Sequence, residues 1–405
     1  MKAGLALLAM WLGMATSAHA DPADFTQVER GRYLATVGDC VACHTVPGGT
    51  PFAGGRAIET PFGTLLSPNL TPDRATGIGT WSDADFVRAV RTGIDDNGAH
   101  LYPALPYPYF ARATVPDVLA IRAYLATLDP ASSPVDTNQL RFPFSIRATL
   151  IVWNALNFTP GVFKPDAGQS DEWNRGAYLV EGLGHCGACH TAKSATGGDK
   201  AGRILQGGVL NGWYAPPLDG SPRTGLGSWP VEQVVAYLKT GANDRQTAAG
   251  PMAEVVSLST SHMTDADLHA IAIYLKARPA GGDPPVPALG AADARMQAGA
   301  ALYTDNCSAC HAPAGSGAAG LFPALRGSAA IQARDPATLV RVVLQGVQAG
   351  ATDAAPTGAA MPAFGWRLTD AQVADVLTYT RNAWGNAAAA ISTGTVREAR
   401  TSLGQ

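Results

Sequence analysis

His185-Cys186-Gly187-Ala188-Cys189-His190 is the stretch on which the reading of this chain turns. Two cysteines stand two residues apart, and a histidine follows the second directly. The same spacing recurs at Cys40-Val41-Ala42-Cys43-His44 and at Cys307-Ser308-Ala309-Cys310-His311, and the chain has no other cysteine. Exported cysteines often form disulfides, but disulfides give no reason for a histidine after each pair. Zinc would need the pairs combined into four-ligand sets, into which three pairs do not divide. A thioredoxin-like redox pair would not occur three times. Covalent haem accounts for every residue. Each vinyl group of the porphyrin takes one cysteine sulfur as a thioether, and two intervening residues set the reach along one helical turn. The next histidine is then placed under the iron. Three haem c groups are therefore expected, attached at Cys40, Cys43, Cys186, Cys189, Cys307 and Cys310. His44, His190 and His311 are the expected iron ligands.

The attachment sites are 146 and 121 residues apart, which is domain spacing, and similar text surrounds each. Upstream stand Arg30-Gly31-Arg32-Tyr33-Leu34, Arg175-Gly176-Ala177-Tyr178-Leu179 and Gly299-Ala300-Ala301-Leu302-Tyr303; downstream stand Pro68-Asn69-Leu70, Pro216-Pro217-Leu218 and Pro323-Ala324-Leu325. Each repeat closes with an amphipathic helix. Its apolar face is Val118, Ile121, Leu125 and Leu128 in the first, Leu268, Ile271 and Leu275 in the second, and Val373, Val376 and Leu377 in the third. Tyr124, Tyr274 and Tyr379 take matching places on these helices. Thr369 with Gln372 and Ser82 with Asp85 predict capping boxes. The unit resembles the class I cytochrome c fold, so an all-α chain of three tandem domains is expected. The expected boundaries are a signal peptide at 1–20, domains at 21–133, 166–280 and 289–390, linkers at 134–165 and 281–288, and a tail at 391–405. By analogy with that fold, a backbone carbonyl near Pro68, Pro216 or Pro323 accepts a hydrogen bond from the proximal histidine.

Opposite the histidine, six-coordinate cytochromes of this class use methionine. After residue 20 only Met252, Met263, Met296 and Met361 remain. Met361, just before the last helix of the third repeat, is where the class I resemblance puts the ligand. Met252, in the loop Gly250-Pro251-Met252, is the expected ligand of the second haem, with Met263 its competitor; Met296 is expected to be packing. The first repeat has no methionine. Leu105 stands at its position, leaving that iron five-coordinate or bound by another side chain, for which His100 is the candidate.

The charge pattern excludes a nucleic-acid partner. Charged residues make up 15% of the 405 and the formal net charge is −3, without the clustered Lys and Arg that phosphates require. Met1-Lys2, an apolar run and Ala18-His19-Ala20 read as a cleaved secretory signal. The mature protein is expected in the periplasm, peripheral on the outer face of the cytoplasmic membrane. The aromatic stretch 140–163 reads as inter-domain packing, or more sharply as a surface for a partner subunit or the membrane.

Thr76-Gly77-Ile78-Gly79-Thr80-Trp81, Leu101-Tyr102-Pro103-Ala104, the stretches 175–181 and 184–191, and Ala383-Trp384-Gly385-Asn386 carry a wider resemblance. The chain resembles the triple-haem cytochrome subunits of bacterial membrane-associated dehydrogenases of alcohol, gluconate, sorbitol, fructose and glucose. The resemblance implies a separate catalytic subunit with a flavin or quinone cofactor, and onward transfer of electrons to ubiquinone or a terminal oxidase. Similar cytochromes accompany molybdenum hydroxylases, where the Leu105 position is often not methionine. No dinucleotide fingerprint or nucleophile elbow is present, so no catalytic residues are expected. A ligand-binding or peroxidase role at an open first haem is the reading from another class.

Overall fold

The computed structural model describes residues 22–281, 284 and 286–405, so the expected signal peptide lies outside the described residues. Three crossed helix pairs organise the chain. Pro22–Val37 packs on Val115–Leu125, Asp171–Glu181 on Asp265–Lys276, and Ala294–Asn306 on Asp370–Thr380. At each crossing a glycine lets the two backbones touch. A Cβ on Gly31 would lie 1.8 Å from the Ala120 carbonyl oxygen, on Gly176 2.0 Å from that of Ala270, and on Gly299 2.3 Å from that of Asp375. Tyr124, Tyr274 and Tyr379 follow those three carbonyls by one helical turn. One crossing is thus built three times from the same local text.

The second helix of each pair starts on a threonine whose hydroxyl accepts from the backbone three residues on: Thr114 from Asp117, Thr264 from Asp267, and Thr369 from Gln372. The expected capping boxes form at Ser82 with Asp85 and at Thr369 with Gln372. Two apolar cores result. One runs continuously through the first two repeats and buries Leu34, Val118 and Ile121 together with Leu179, Leu268 and Leu275. The other belongs to the third repeat and buries Tyr303, Val340, Leu344, Val373 and Leu377.

Three expectations need correction. The chain is helix-rich but not all-α: three antiparallel ribbons pair Ala57–Thr60 with Gly63–Leu66, Gly208–Leu210 with Trp213–Ala215, and Val347–Gln348 with Ala360–Met361. With strands of two to four residues, they are too short to show alternation in sequence. The stretch 391–405 is not a loose tail. Its helix, Thr393–Ser402, buries Val396 in the third core, and Arg400 donates to Asp370 at 2.8 Å. The stretch 134–165 is not merely a connector, because it contains the helix Thr149–Asn157. That helix packs on both neighbours, as the inter-domain reading expects. Asn154 accepts from the Tyr107 hydroxyl of the first repeat, and Trp153 Nε1 donates to the Thr196 carbonyl of the second at 2.8 Å.

A candidate haem centre in each repeat

Each CxxCH motif sits at the start of a repeat's long loop, on or beside a single helical turn: Cys40–His44, Gly187–His190 and Ser308–His311. A turn this tight brings both sulfurs and the imidazole to one side of the backbone. Each histidine is held by the first residue of the downstream Pro-x-Leu. Nδ1 lies 2.8 Å from the Pro68 carbonyl at His44, 2.6 Å from that of Pro216 at His190, and 3.0 Å from that of Pro323 at His311. A carbonyl can only accept, so Nδ1 carries the proton and Nε2 keeps its lone pair. Burial lowers the pKa of all three rings, outweighing those hydrogen bonds, and keeps them neutral. A neutral imidazole with its Nε2 lone pair turned away from its anchor is the form that binds iron. The carbonyls anticipated from sequence do this in all three repeats.

The cysteines fit the same chemistry. All six are free of disulfides. Burial pushes the thiols of Cys40 and Cys186 up to about 12 and those of Cys43 and Cys307 to about 11, so they are not thiolates at neutral pH. No group of three or more His, Cys, Asp or Glu side chains that could hold a metal ion occurs among the described residues. Leu70, Ile78, Trp81, Val87, Val90 and Leu105 are only half-buried against the first core, leaving apolar edges of the kind a flat hydrophobic group would cover. Such a group, when bound, supplies reversible one-electron chemistry at its iron.

The sixth-ligand candidates fall on different elements. Met361 lies on the strand Ala360–Met361, opposite Val347, half-buried ahead of the helix Asp370–Thr380. Met252 is not in a loop as expected. It is the second residue of the helix Pro251–Leu258, where Pro251 provides a favourable first helical position. Met263 is 2% exposed and lies inside the common core. Met296 is buried on its helix, as expected. Leu105 packs on the first core, and His100 Nδ1 lies 3.3 Å from Asn154 Nδ2 of the 149–157 helix.

Contacts between the first two repeats at these motifs go beyond the sequence reading. Tyr109, four residues past Leu105, lies against the Cys186–His190 motif: a Cβ on Gly187 would meet its ring at 2.8 Å. Phe110 stacks edge-on with His185, centroids 5.5 Å apart. In return, Glu254 on the Met252 helix binds Arg56 through both carboxylate oxygens, and Arg56 donates to the Ala42 carbonyl of the first motif. Each of the first two repeats thus props the attachment turn of the other. The run Tyr107-Pro108-Tyr109-Phe110 is the only hint of this in the sequence.

Crossed helices around a glycine, a CxxCH turn and a carbonyl-anchored histidine define a c-type cytochrome. Comparison agrees. The family model described as cytochrome c matches residues 174–278 and 296–384. The gluconate 2-dehydrogenase cytochrome c subunit of Pantoea cypripedii is 43% identical, over 97% of this chain and 93% of that one. The cytochrome c subunit of the quinone alcohol dehydrogenase of Gluconobacter oxydans is 39% identical, over 99% and 87%. A nicotinate dehydrogenase subunit of Pseudomonas putida is 41% identical, over 88% of this chain but 30% of that one. The chain belongs to the family of cytochrome c subunits of dehydrogenase complexes. It carries covalent haem c and transfers electrons for a catalytic dehydrogenase subunit; it does not oxidise a substrate on its own.

Proposed function

We propose that this chain holds three haems, one in each of three class I cytochrome domains at 21–133, 166–280 and 289–390. It receives electrons from a periplasmic alcohol-, sugar- or sugar-acid-type dehydrogenase and delivers them to ubiquinone or a terminal oxidase. The observation that carries this is the threefold recurrence of a histidine anchored through Nδ1 to a proline carbonyl behind a CxxC pair. The thioethers form at Cys40, Cys43, Cys186, Cys189, Cys307 and Cys310. His44, His190 and His311 bind the irons, with Met252 and Met361 opposite the second and third. At the first iron Leu105 offers no ligand, so the position stays open or is filled by His100. The amino-terminal 20 residues act as an export signal, and the mature protein works on the outer face of the cytoplasmic membrane. Repeat two touches the first repeat at Tyr109 and the third where the Tyr214 N–H donates to the Thr338 hydroxyl at 2.7 Å, which supports a path in which the second haem lies between the other two.

The test is the mass and spectrum of the purified mature chain. Three haem masses above the polypeptide and a reduced spectrum of three haems are expected. Two haems, or loss of colour on denaturation, would overturn the count or the covalent linkage. Leu105 supports a second reading, in which the partner is a molybdenum hydroxylase acting on an aldehyde or N-heterocycle. Co-purification of the native complex decides between them: a flavin or quinone in the catalytic subunit supports the first, and molybdenum supports the second.

A further inference from the structure

The helix Thr149–Asn157 makes polar contacts with the protein and leaves apolar side chains in the open. Its polar residues face the protein: Trp153 reaches the Thr196 carbonyl, Asn154 holds the Tyr107 hydroxyl, and Asn157 accepts from Thr196 at 3.3 Å. Leu150 packs inward with them, but three apolar residues of the helix face out. Ile151 is 57% exposed, Val152 63% and Leu156 71%, and Phe142 in the preceding turn is 81% exposed. Scattered apolar side chains on a surface are ordinary. These are not scattered: seven of the sixteen exposed large apolar residues of the described chain fall between residues 142 and 162.

The charge around this face is one-sided. Residues 137–165 include Arg141, Arg147 and Lys164 and no aspartate or glutamate, within a chain whose formal net charge is −3. Arg141 and Lys164 are exposed, while Arg147 is tied back to the His100 carbonyl and lies over the Tyr102 ring. Apolar side chains flanked by cations, on a helix too short to span, are the pattern of a segment lying in a lipid interface. Among the described residues no helix is long and apolar enough to cross a membrane.

We propose that Phe142, Ile151, Val152 and Leu156 form a docking face that dips into an anionic lipid surface, with Arg141 and Lys164 meeting the headgroups. This rests on the reading of a periplasmic, membrane-peripheral protein and names the surface responsible. The helix would lie flat, its Trp153 and Asn154 contacts fixing both neighbouring repeats at a set height above the bilayer.

The experiment is co-sedimentation of the haem-loaded full chain with vesicles of phosphatidylethanolamine and phosphatidylglycerol, and with vesicles of phosphatidylcholine alone. Stronger binding to the anionic vesicles, weakened by salt, is expected. Ile151→Ser with Val152→Ser and Leu156→Ser should lower the partition coefficient at least tenfold, and Arg141→Glu with Lys164→Glu should remove the preference for anionic lipid. These side chains are exposed, so an unchanged haem spectrum and Tm will show the variants folded. If the parent binds the vesicles and both variants bind equally well, the docking face is wrong. If the parent binds neither vesicle, the membrane-peripheral reading itself fails. Variants that keep vesicle binding but lose the catalytic subunit would reassign the face to that partner and overturn the lipid proposal.

Discussion

A methyl group at position 31 would bring two opposed effects. Alanine is favoured over glycine inside a helix by about 1 kcal/mol. Here the added carbon would lie 1.8 Å from a backbone oxygen that no rotamer change can move. Overpacking of this kind costs about 1–3 kcal/mol or more, so the clash wins. Gly31→Ala is expected to lower Tm and the yield of haem-loaded protein; a Tm at or above the parent's would refute the crossing. Leu105 invites the reverse experiment. Leu105→Met is expected to convert a five-coordinate first haem to a low-spin one and to abolish its reaction with carbon monoxide in the ferrous state. An unchanged optical and paramagnetic spectrum would mean that another group, His100 first, already fills the position. The CxxCH residues are legible in sequence because covalent reach leaves few alternatives; the proline carbonyls follow only from the fold resemblance, and the glycines at 31, 176 and 299 show as a repeat without declaring their role. The Arg56–Glu254 clamp is not legible, since its partners are 198 residues apart and share no pattern.

At the scale of elements, the closing helices are the easiest to foresee. They bury continuous apolar faces and begin on threonine caps. Thr369→Ala removes the acceptor that satisfies the Gln372 amide, at a cost of about 1 kcal/mol. Chemical denaturation should show that loss in a transition reporting the third core, with the first two haems undisturbed; an effect spread over all three would argue against separate cores. The Met252 helix escapes notice because Gly250-Pro251 at the start of an eight-residue helix reads as a turn. The carboxy-terminal helix escapes notice because it is mostly polar and gives one buried residue, Val396, to the core. The 149–157 helix reads as aromatic packing. That Ile151, Val152 and Leu156 stay exposed is invisible in sequence, since periodicity marks an apolar face without saying what covers it.

Across the whole molecule, the first two repeats exchange hydroxyl groups. Asp117 pairs with Arg30 of its own repeat and accepts from Tyr178 of the next; Asp267 pairs with Arg175 of its own repeat and accepts from Tyr33 of the first. Burial works against ionisation of Asp267, but the hydrogen bonds from Arg175 and Tyr33 outweigh it and hold the carboxyl below its ordinary value of 3.8. A carboxyl depressed on folding contributes stability that is complete above its unfolded pKa and is lost as pH falls through the folded one. Unfolding followed below pH 4 should therefore show steep weakening. Tyr33→Phe removes a hydrogen bond to a charged group, worth about 1.5–3 kcal/mol, and should flatten that acid dependence; an unaltered pH profile would discount the exchange. The third repeat cannot take part. Where the others have arginine, tyrosine and aspartate it has Ala298, Ala301 and Gln372. The Arg-Gly-x-Tyr text is visible in sequence as a repeat, but its cross-repeat partner, 234 residues away, is not. Judged by these two carboxylates, the polypeptide is divisible at one place. Severed near Gly281, the leading fragment keeps every donor to both carboxylates and the trailing one keeps its own oily centre. Severed between the first two units, both carboxylates lose a donor at once, and neither half should be recovered in soluble form.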